Sequence, residues 1–362
     1  MFKEFNPAED KILRVIDNEG KVINKKWMPQ LEDTQIQKAY KDMLFARVAD
    51  TMAVSYQRQG RMFTYPLNLG QEAISGALGN IMTEEDWLVP AFRELGAWLA
   101  KGAKLKDIFL YFKGNEEGNA FRNVKKMLPM AVPIASQLLH AAGIGYAVKL
   151  RNEKDIIYTI VGDGGTSEGD FHEALNFAAV WKVPVIFVVQ NNQFAISVPF
   201  SKQTASINIA VKSLAYGMPG IKVDGNDYFA MYSALDYARN YAAEGNGPVL
   251  IEALTYRKGA HTTSDDPTKY RTKEEEDLWG LTDPLPRLNK FLKAKKLITD
   301  KEEQTLIEQY KKEVDRSFEE AENYPPTVLD DVFKYTYVDI PEDLKIQQME
   351  HEKFLKWKEA QK

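Results

Sequence analysis

IIYTIVGDGGTSEGDFHEALNFAAVWKVPVIFVVQNNQFAIS, residues 156–197, holds two short apolar runs separated by a segment of helical periodicity. The run at 156–161 is too short for a helix and is ended by glycines, so it reads as a strand buried on both faces; 185–189 reads the same way. Between them Phe171, Leu175, Ala178 and Trp181 recur at helical spacing. The unit is a strand, a helix and a second strand, with a crossover expected to be right-handed. Further strand-like runs begin at Ile221 and Val249, and helices are expected near 171, 206 and 227. This alternation predicts an α/β fold whose mostly parallel, doubly wound sheet is covered on both sides.

The first strand ends in Gly162-Asp163-Gly164 and the second, after 26 intervening residues, in Asn191-Asn192. Asp163 and Asn192 are therefore expected on one edge of the sheet, where such folds bind ligands. One carboxylate, one amide oxygen and free backbone carbonyls suit a small hard cation such as Mg²⁺ that keeps room for phosphate oxygens. Gly164 and Gly165 let the backbone approach an anion closely, and a helix opening near Gly169 aims free N–H groups and a positive dipole end at it. The ligand these features predict is a diphosphate bridged to the protein by a metal. Taken alone, the Gly-Asp-Gly turn would equally suit a tight strand-to-helix connection in an ordinary doubly wound sheet.

The stretch resembles the thiamine diphosphate signature. From roughly residue 30 to the end of the 280s the chain resembles the α subunit of the E1 component of the 2-oxo acid dehydrogenase complexes, and its bacterial pyruvate-type members most of all. The resemblance implies that Asp163 and Asn192 bind Mg²⁺ through their side chains, that Phe194 adds its carbonyl, and that Gly164 and Gly165 meet the diphosphate. Phe92-Arg93, in VPAFRELGAW, matches an aromatic-Arg pair that reaches the same diphosphate. Arginine suits that task because its fixed fork stays charged. In PMAVPIASQLLHAAG, Ile134 matches the apolar wedge between the two cofactor rings, and Val132 offers a carbonyl towards the aminopyrimidine.

His261 lies in TYRKGAHTTSDDPTKYRTKEEE, a long loop with Arg257, Lys258, Lys269 and Arg271 nearby. A histidine among cations has its charged form disfavoured and can exchange a proton near neutrality. By resemblance this loop closes over the cofactor, and His261 is the catalytic candidate beside the reacting centre. Thr262 and Lys269 stand where animal relatives carry regulatory phosphoserines, so kinase control of that kind is not implied. Animal pyruvate-type relatives also have a histidine just before the GQEA segment; TYPLNLGQEA has none, and Tyr65 is expected to line the substrate side instead. His140 reads as a hydrogen-bonded core histidine, His172 as a helix-start residue and His351 as part of a charged tail.

The implied reaction is decarboxylation of a 2-oxo acid, with pyruvate preferred and branched-chain oxo acids the alternative, followed by reductive acylation of a lipoyl group on an E2 dihydrolipoyl acyltransferase. The glutamate that activates the aminopyrimidine has no counterpart in this chain. It is expected from a separate β subunit, in an α₂β₂ assembly with sites at the α/β interface. Two other classes compete. A nicotinamide-dependent dehydrogenase could use the turn at Gly162, but Gly-x-Gly-x-x-Ser lacks the third glycine and no acidic residue ends the next strand. A noncatalytic scaffold subunit is the other.

With 362 residues, 44% of them hydrophobic, the chain can bury a large core. Its net charge of −5 and lack of a long basic face argue against nucleic acid. Without cysteine, disulfides, thiolate metal sites and cysteine nucleophiles are excluded, and a reducing bacterial cytoplasm is the expected location. The first residues mix acidic and basic side chains, unlike a presequence, and no run approaches the roughly 20 apolar residues of a membrane span. Residues 1–30 read as an arm packing on a neighbour, 31–281 as the diphosphate-binding domain, and 282–362 as a helical extension packed on that domain or on a partner. Within the extension, 290–324 is so rich in charge that it reads as a solvated helical tail.

Overall fold

In this computed structural model residues 1–280 and 282–361 are described, so the expected domain boundary at 281 and the final residue of the extension lie outside the described residues. The chain divides into two compact units, Met1–Phe318 and Glu319–Lys362. The first is built on a sheet of six parallel strands in the order β1-β7-β8-β4-β3-β2. These strands are β1 (Ile12–Leu13), β2 (Trp87–Val89), β3 (Ile157–Gly162), β4 (Val185–Asn191), β7 (Gly220–Asp224) and β8 (Val249–Leu254); β5 (Phe194–Ala195) and β6 (Val198–Pro199) form a separate antiparallel hairpin. The expected parallel α/β sheet is present.

The helices of this unit begin with α1 (Asp33–Arg58), α2 (Glu72–Ile81), α3 (Leu95–Lys101) and α4 (Leu105–Phe112). They continue with α5 (Ser136–Leu150), α6 (Gly169–Trp181), α7 (Phe200–Gln203), α8 (Tyr228–Ala243), α9 (Lys273–Gly280), α10 (Pro284–Ala294) and α11 (Asp300–Glu322), whose residues after Phe318 belong to the second unit. Alternate residues of β3 and β4 serve opposite faces. Ile157, Val161, Val185, Phe187 and Val189 join Leu138, Ala141, Phe171 and Leu175 of α5 and α6 in one core. Tyr158, Ile160, Ile186 and Val188 are equally buried towards the other face, where α8 packs. Small residues bring α2 and α3 together: a Cβ on Gly79 would lie 2.4 Å from that of Ala100.

Two stretches depart from the sequence expectation. Ile12–Leu13 of the supposed arm is an edge strand paired with β7, and Leu13, Val15 and Ile16 are fully buried. The buried Asp227 carboxylate anchors them by accepting from the Val15 and Ile16 amides at 2.7 and 2.8 Å. Residues 290–324 are likewise not a solvated tail throughout. Phe291, Leu292, Val314 and Phe318 are buried, and Phe318 stacks on Tyr56 with ring centroids 3.8 Å apart. A few apolar residues at helical spacing decide that helix's packing, whatever the charge of the others. The second unit pairs α12 (Leu329–Lys334) with α13 (Glu342–Glu359). No helix among the described residues is long and apolar enough to cross a membrane.

Candidate active site

Parallel pairing sets Gly162 opposite Gln190, so Asp163 and Asn192 leave neighbouring strands at the same edge. Asp163 opens a 3₁₀ turn, Asp163–Ser167, that leads into α6 at Gly169. Beyond Asn192, Gln193 takes a φ of 74° and the β5–β6 hairpin turns the chain back, bringing Phe194 over the strand ends. The result is a cleft of ≈ 260 Å³ at the strand ends. It gathers Phe92, Arg93, Ile134, Asp163, Gly164, Gly165, Asn192, Phe194 and His261 from the sequence prediction. Val132 is not on its wall but lines an adjoining cavity that shares Phe92, Ile134 and His261.

At the cleft floor, three oxygens converge. The Asn192 side-chain oxygen stands 3.3 Å from Asp163 Oδ1 and 3.1 Å from the Phe194 carbonyl oxygen, while the amide nitrogen donates to Gln71 Oε1 at 3.2 Å. Such crowding of acceptors is unfavourable unless an amide turns or a cation sits among them. An octahedral Mg²⁺ with ligands near 2.1 Å would hold neighbouring oxygens about 3 Å apart, so the spacing fits. The other Asp163 oxygen, Oδ2, is buried with no hydrogen-bond partner among the described residues, and burial pushes the carboxyl up to about 6. A buried acceptor without a partner costs stability, and a cation relieves that cost. No three His, Cys, Asp or Glu side chains converge as a metal site among the described residues, leaving this carboxylate, amide and carbonyl as the hard-oxygen set.

Beside these oxygens lies a cationic wall. Arg93 donates to the Leu67 carbonyl, to the His261 carbonyl at 2.8 Å and to His261 Nδ1 at 3.2 Å. Arg257 donates to the carbonyls of Phe194 at 3.0 Å and Ile196 at 2.6 Å, and its buried Nε has no partner among the described residues. Burial, and then Arg257, pull Arg93 down to about 10. Burial, with Arg93 and Arg257 adding to it, pulls His261 down to about 4, so the imidazole is neutral at physiological pH. Because Nδ1 accepts from Arg93, the ring proton belongs on Nε2. The glycines complete a cradle: a Cβ on Gly164 would meet that of Ala195 at 2.8 Å, and one on Gly165 would meet Val161 Cγ2 at 2.4 Å. Backbone, guanidinium and metal-type oxygens together fit a diphosphate carried on a divalent cation.

Several cleft residues escaped the sequence reading. Gln71 and Gln137 line it with Nε2 and Oε1, respectively, buried and without partners among the described residues. Glu94 lies there too, accepting from Gln190 Nε2 at 3.1 Å and from the Arg93 amide at 3.1 Å, and burial pushes it up to about 7. Its place directly after Phe92-Arg93, and that of Gln71 in GQEA, were the available signals.

Tyr65 is not on the substrate side. It is 1% exposed and donates to Asp50 Oδ1 at 3.0 Å, while Thr64 and Pro66 line the adjoining cavity. His140 is exposed, not in the core, since the buried stripe of α5 runs through Gln137, Leu138, Ala141 and Ala142 instead. His172 lies in the first turns of α6, with Nδ1 2.6 Å from the Tyr216 hydroxyl, away from the cleft wall.

Residues 40–329 match the family described as the dehydrogenase E1 component. A pyruvate dehydrogenase E1 component subunit alpha from Acholeplasma laidlawii is 45% identical over 341 residues, covering 94% of this chain and 99% of that protein. The protein of the same description from Mycoplasma genitalium is 38% identical over 351 residues, 97% of this chain and 98% of its own. Its Staphylococcus aureus counterpart is 39% identical over 345 residues, 94% of this chain and 93% of its own. The chain therefore belongs to the dehydrogenase E1 component family.

Proposed function

We propose that this chain is the α subunit of a thiamine diphosphate-dependent pyruvate dehydrogenase that decarboxylates pyruvate and reductively acetylates the lipoyl group of an E2 acyltransferase. The observation that carries the proposal is the meeting of the Asp163, Asn192 and Phe194 oxygens with the Arg93, Arg257 and His261 wall in one cleft. Near-full-length likeness to pyruvate dehydrogenase α subunits supports the substrate.

In this reading Asp163, Asn192 and the Phe194 carbonyl hold Mg²⁺, while Arg93 and the Gly164 and Gly165 amides hold the diphosphate. Ile134, on the wall of both the cleft and the adjoining cavity, and Val132, on the wall of the latter, would be the residues that meet the cofactor's rings. Bound thiamine diphosphate supplies the nucleophilic carbon and the electron sink for losing carbon dioxide. His261 presents a neutral imidazole with its proton on Nε2, able to donate to an oxygen that gains charge and to take a proton back. Arg93 fixes that tautomer and orients the ring. Phe63, Phe92, Tyr111 and Val132 give the adjoining cavity beside His261 an apolar lining.

A β subunit provides the activating glutamate, which makes the working enzyme an α₂β₂ assembly, in a bacterial cytoplasm. The cofactor would bind in the first unit, Met1–Phe318, whose sheet carries the cleft. The test is retention of thiamine diphosphate by the assembled protein after gel filtration with Mg²⁺. Wild type should retain it and Asp163→Ala, with unchanged circular dichroism, should not; equal retention would refute the assignment.

A further inference from the structure

Gln71 is a polar residue of the cleft that the proposed function leaves without a task. It is 2% exposed and stands just before α2, where Gly70 takes a φ of +95° and a Cβ in its place would meet the Tyr256 carbonyl oxygen at 2.7 Å. Its Oε1 accepts from Asn192 Nδ2 at 3.2 Å, and its Nε2 has no partner among the described residues.

An amide has two orientations that occupy the same space but exchange donor for acceptor. Turned over, Asn192 would donate to Asp163 Oδ1 at 3.3 Å and to the Phe194 carbonyl at 3.1 Å, and would set its own oxygen 3.2 Å from Gln71 Oε1. That last contact joins two acceptors, so Asn192 can turn only if Gln71 turns with it and offers Nε2. The two amides thus form a unit with two arrangements, and in the one the structure holds Gln71 Nε2 has no partner among the described residues. In one, Asn192 gives its nitrogen to Asp163 and Phe194 and closes the oxygen set upon itself. In the other, Gln71 takes that nitrogen and leaves three oxygens facing inward.

We propose that Gln71 is a positioning residue for the divalent cation: by presenting Oε1 it holds the Asn192 oxygen towards the metal, and the Gln71 and Asn192 amides reverse together when the metal binds or leaves. The inference rests on the metal-diphosphate reading of the cleft. It concerns a partner of a ligand, the class of residue whose loss typically weakens metal binding 10- to 100-fold.

The test titrates Mn²⁺ into the α/β assembly with thiamine diphosphate present and follows free Mn²⁺ by its electron paramagnetic resonance signal. Gln71→Met, which offers neither acceptor nor donor, should bind Mn²⁺ roughly 10- to 100-fold more weakly than wild type. Gln71→Glu, which can only accept, should restore wild-type affinity or exceed it. A generally damaged fold would lower both variants, and circular dichroism monitors that separately. Unchanged affinity in Gln71→Met, or no recovery in Gln71→Glu, would overturn the amide pair while leaving the cation site standing. Failure of wild type to take up Mn²⁺, or full uptake by Asp163→Asn, would overturn both.

Discussion

Replacing Glu94 by glutamine should make the chain's stability respond differently to pH. Burial raises this carboxyl from 4.5 to about 7 even though the Arg93 amide, the Arg93 charge and Gln190 favour the ionised form. A folded-state value above the unfolded one means that the native chain holds the proton more tightly. The stabilisation is complete below 4.5 and is lost as pH rises through about 7. With 1.36 kcal/mol per unit, the loss between pH 5 and pH 8 comes to about 2.5 kcal/mol, undiluted by solvent because the group is buried. Glutamine cannot ionise and should escape that loss. Urea unfolding of wild type and Glu94→Gln at both pH values isolates the effect, since every other titrating group cancels in the difference. Relative to wild type the variant should gain about 2.5 kcal/mol on going from pH 5 to pH 8. A gap that stays within about 0.5 kcal/mol across that range would refute the reasoning, because it would mean that Glu94 ionises in the folded chain as it does in water.

His261→Gln should lower kcat/KM for the oxo acid by roughly 10²- to 10⁴-fold, with thermal stability unchanged, since the loop histidine exchanges protons but is only partly buried. Equal activity in steady-state assays would remove it from the chemistry. Phe318→Ala should cost about 3–5 kcal/mol in chemical denaturation, because the ring is fully buried and stacked on Tyr56. A cost below about 1 kcal/mol would return that helix to the solvated surface.

The central β3-α6-β4 unit was legible because its apolar runs and helical spacing are uninterrupted, and because a parallel pair puts both strand ends on one edge. Asp163 and Asn192 follow from that geometry together with the order of motifs. The edge strand Ile12–Leu13 was not legible: two residues carry no period, and their pairing with β7 joins segments some two hundred residues apart. The burial of Phe318 was hidden by the charges around it. Tyr65 was misread because a residue's facing cannot be deduced without knowing that Asp50 lies behind it. Gln71 and Glu94 come from loops preceding α2 and α3 and meet Asn192 and Gln190 only through the tertiary fold, so beyond their neighbours in GQEA and Phe92-Arg93 nothing in the chain marks them.

The most direct test of the central claim is pyruvate-dependent reduction of an artificial electron acceptor by this chain assembled with its β partner, with thiamine diphosphate and Mg²⁺ present and branched-chain oxo acids compared alongside. Turnover that needs both chains and both cofactors and prefers pyruvate is the predicted result. Cofactor-dependent turnover that prefers branched-chain acids would contradict the substrate, and no turnover with any oxo acid would contradict the enzyme.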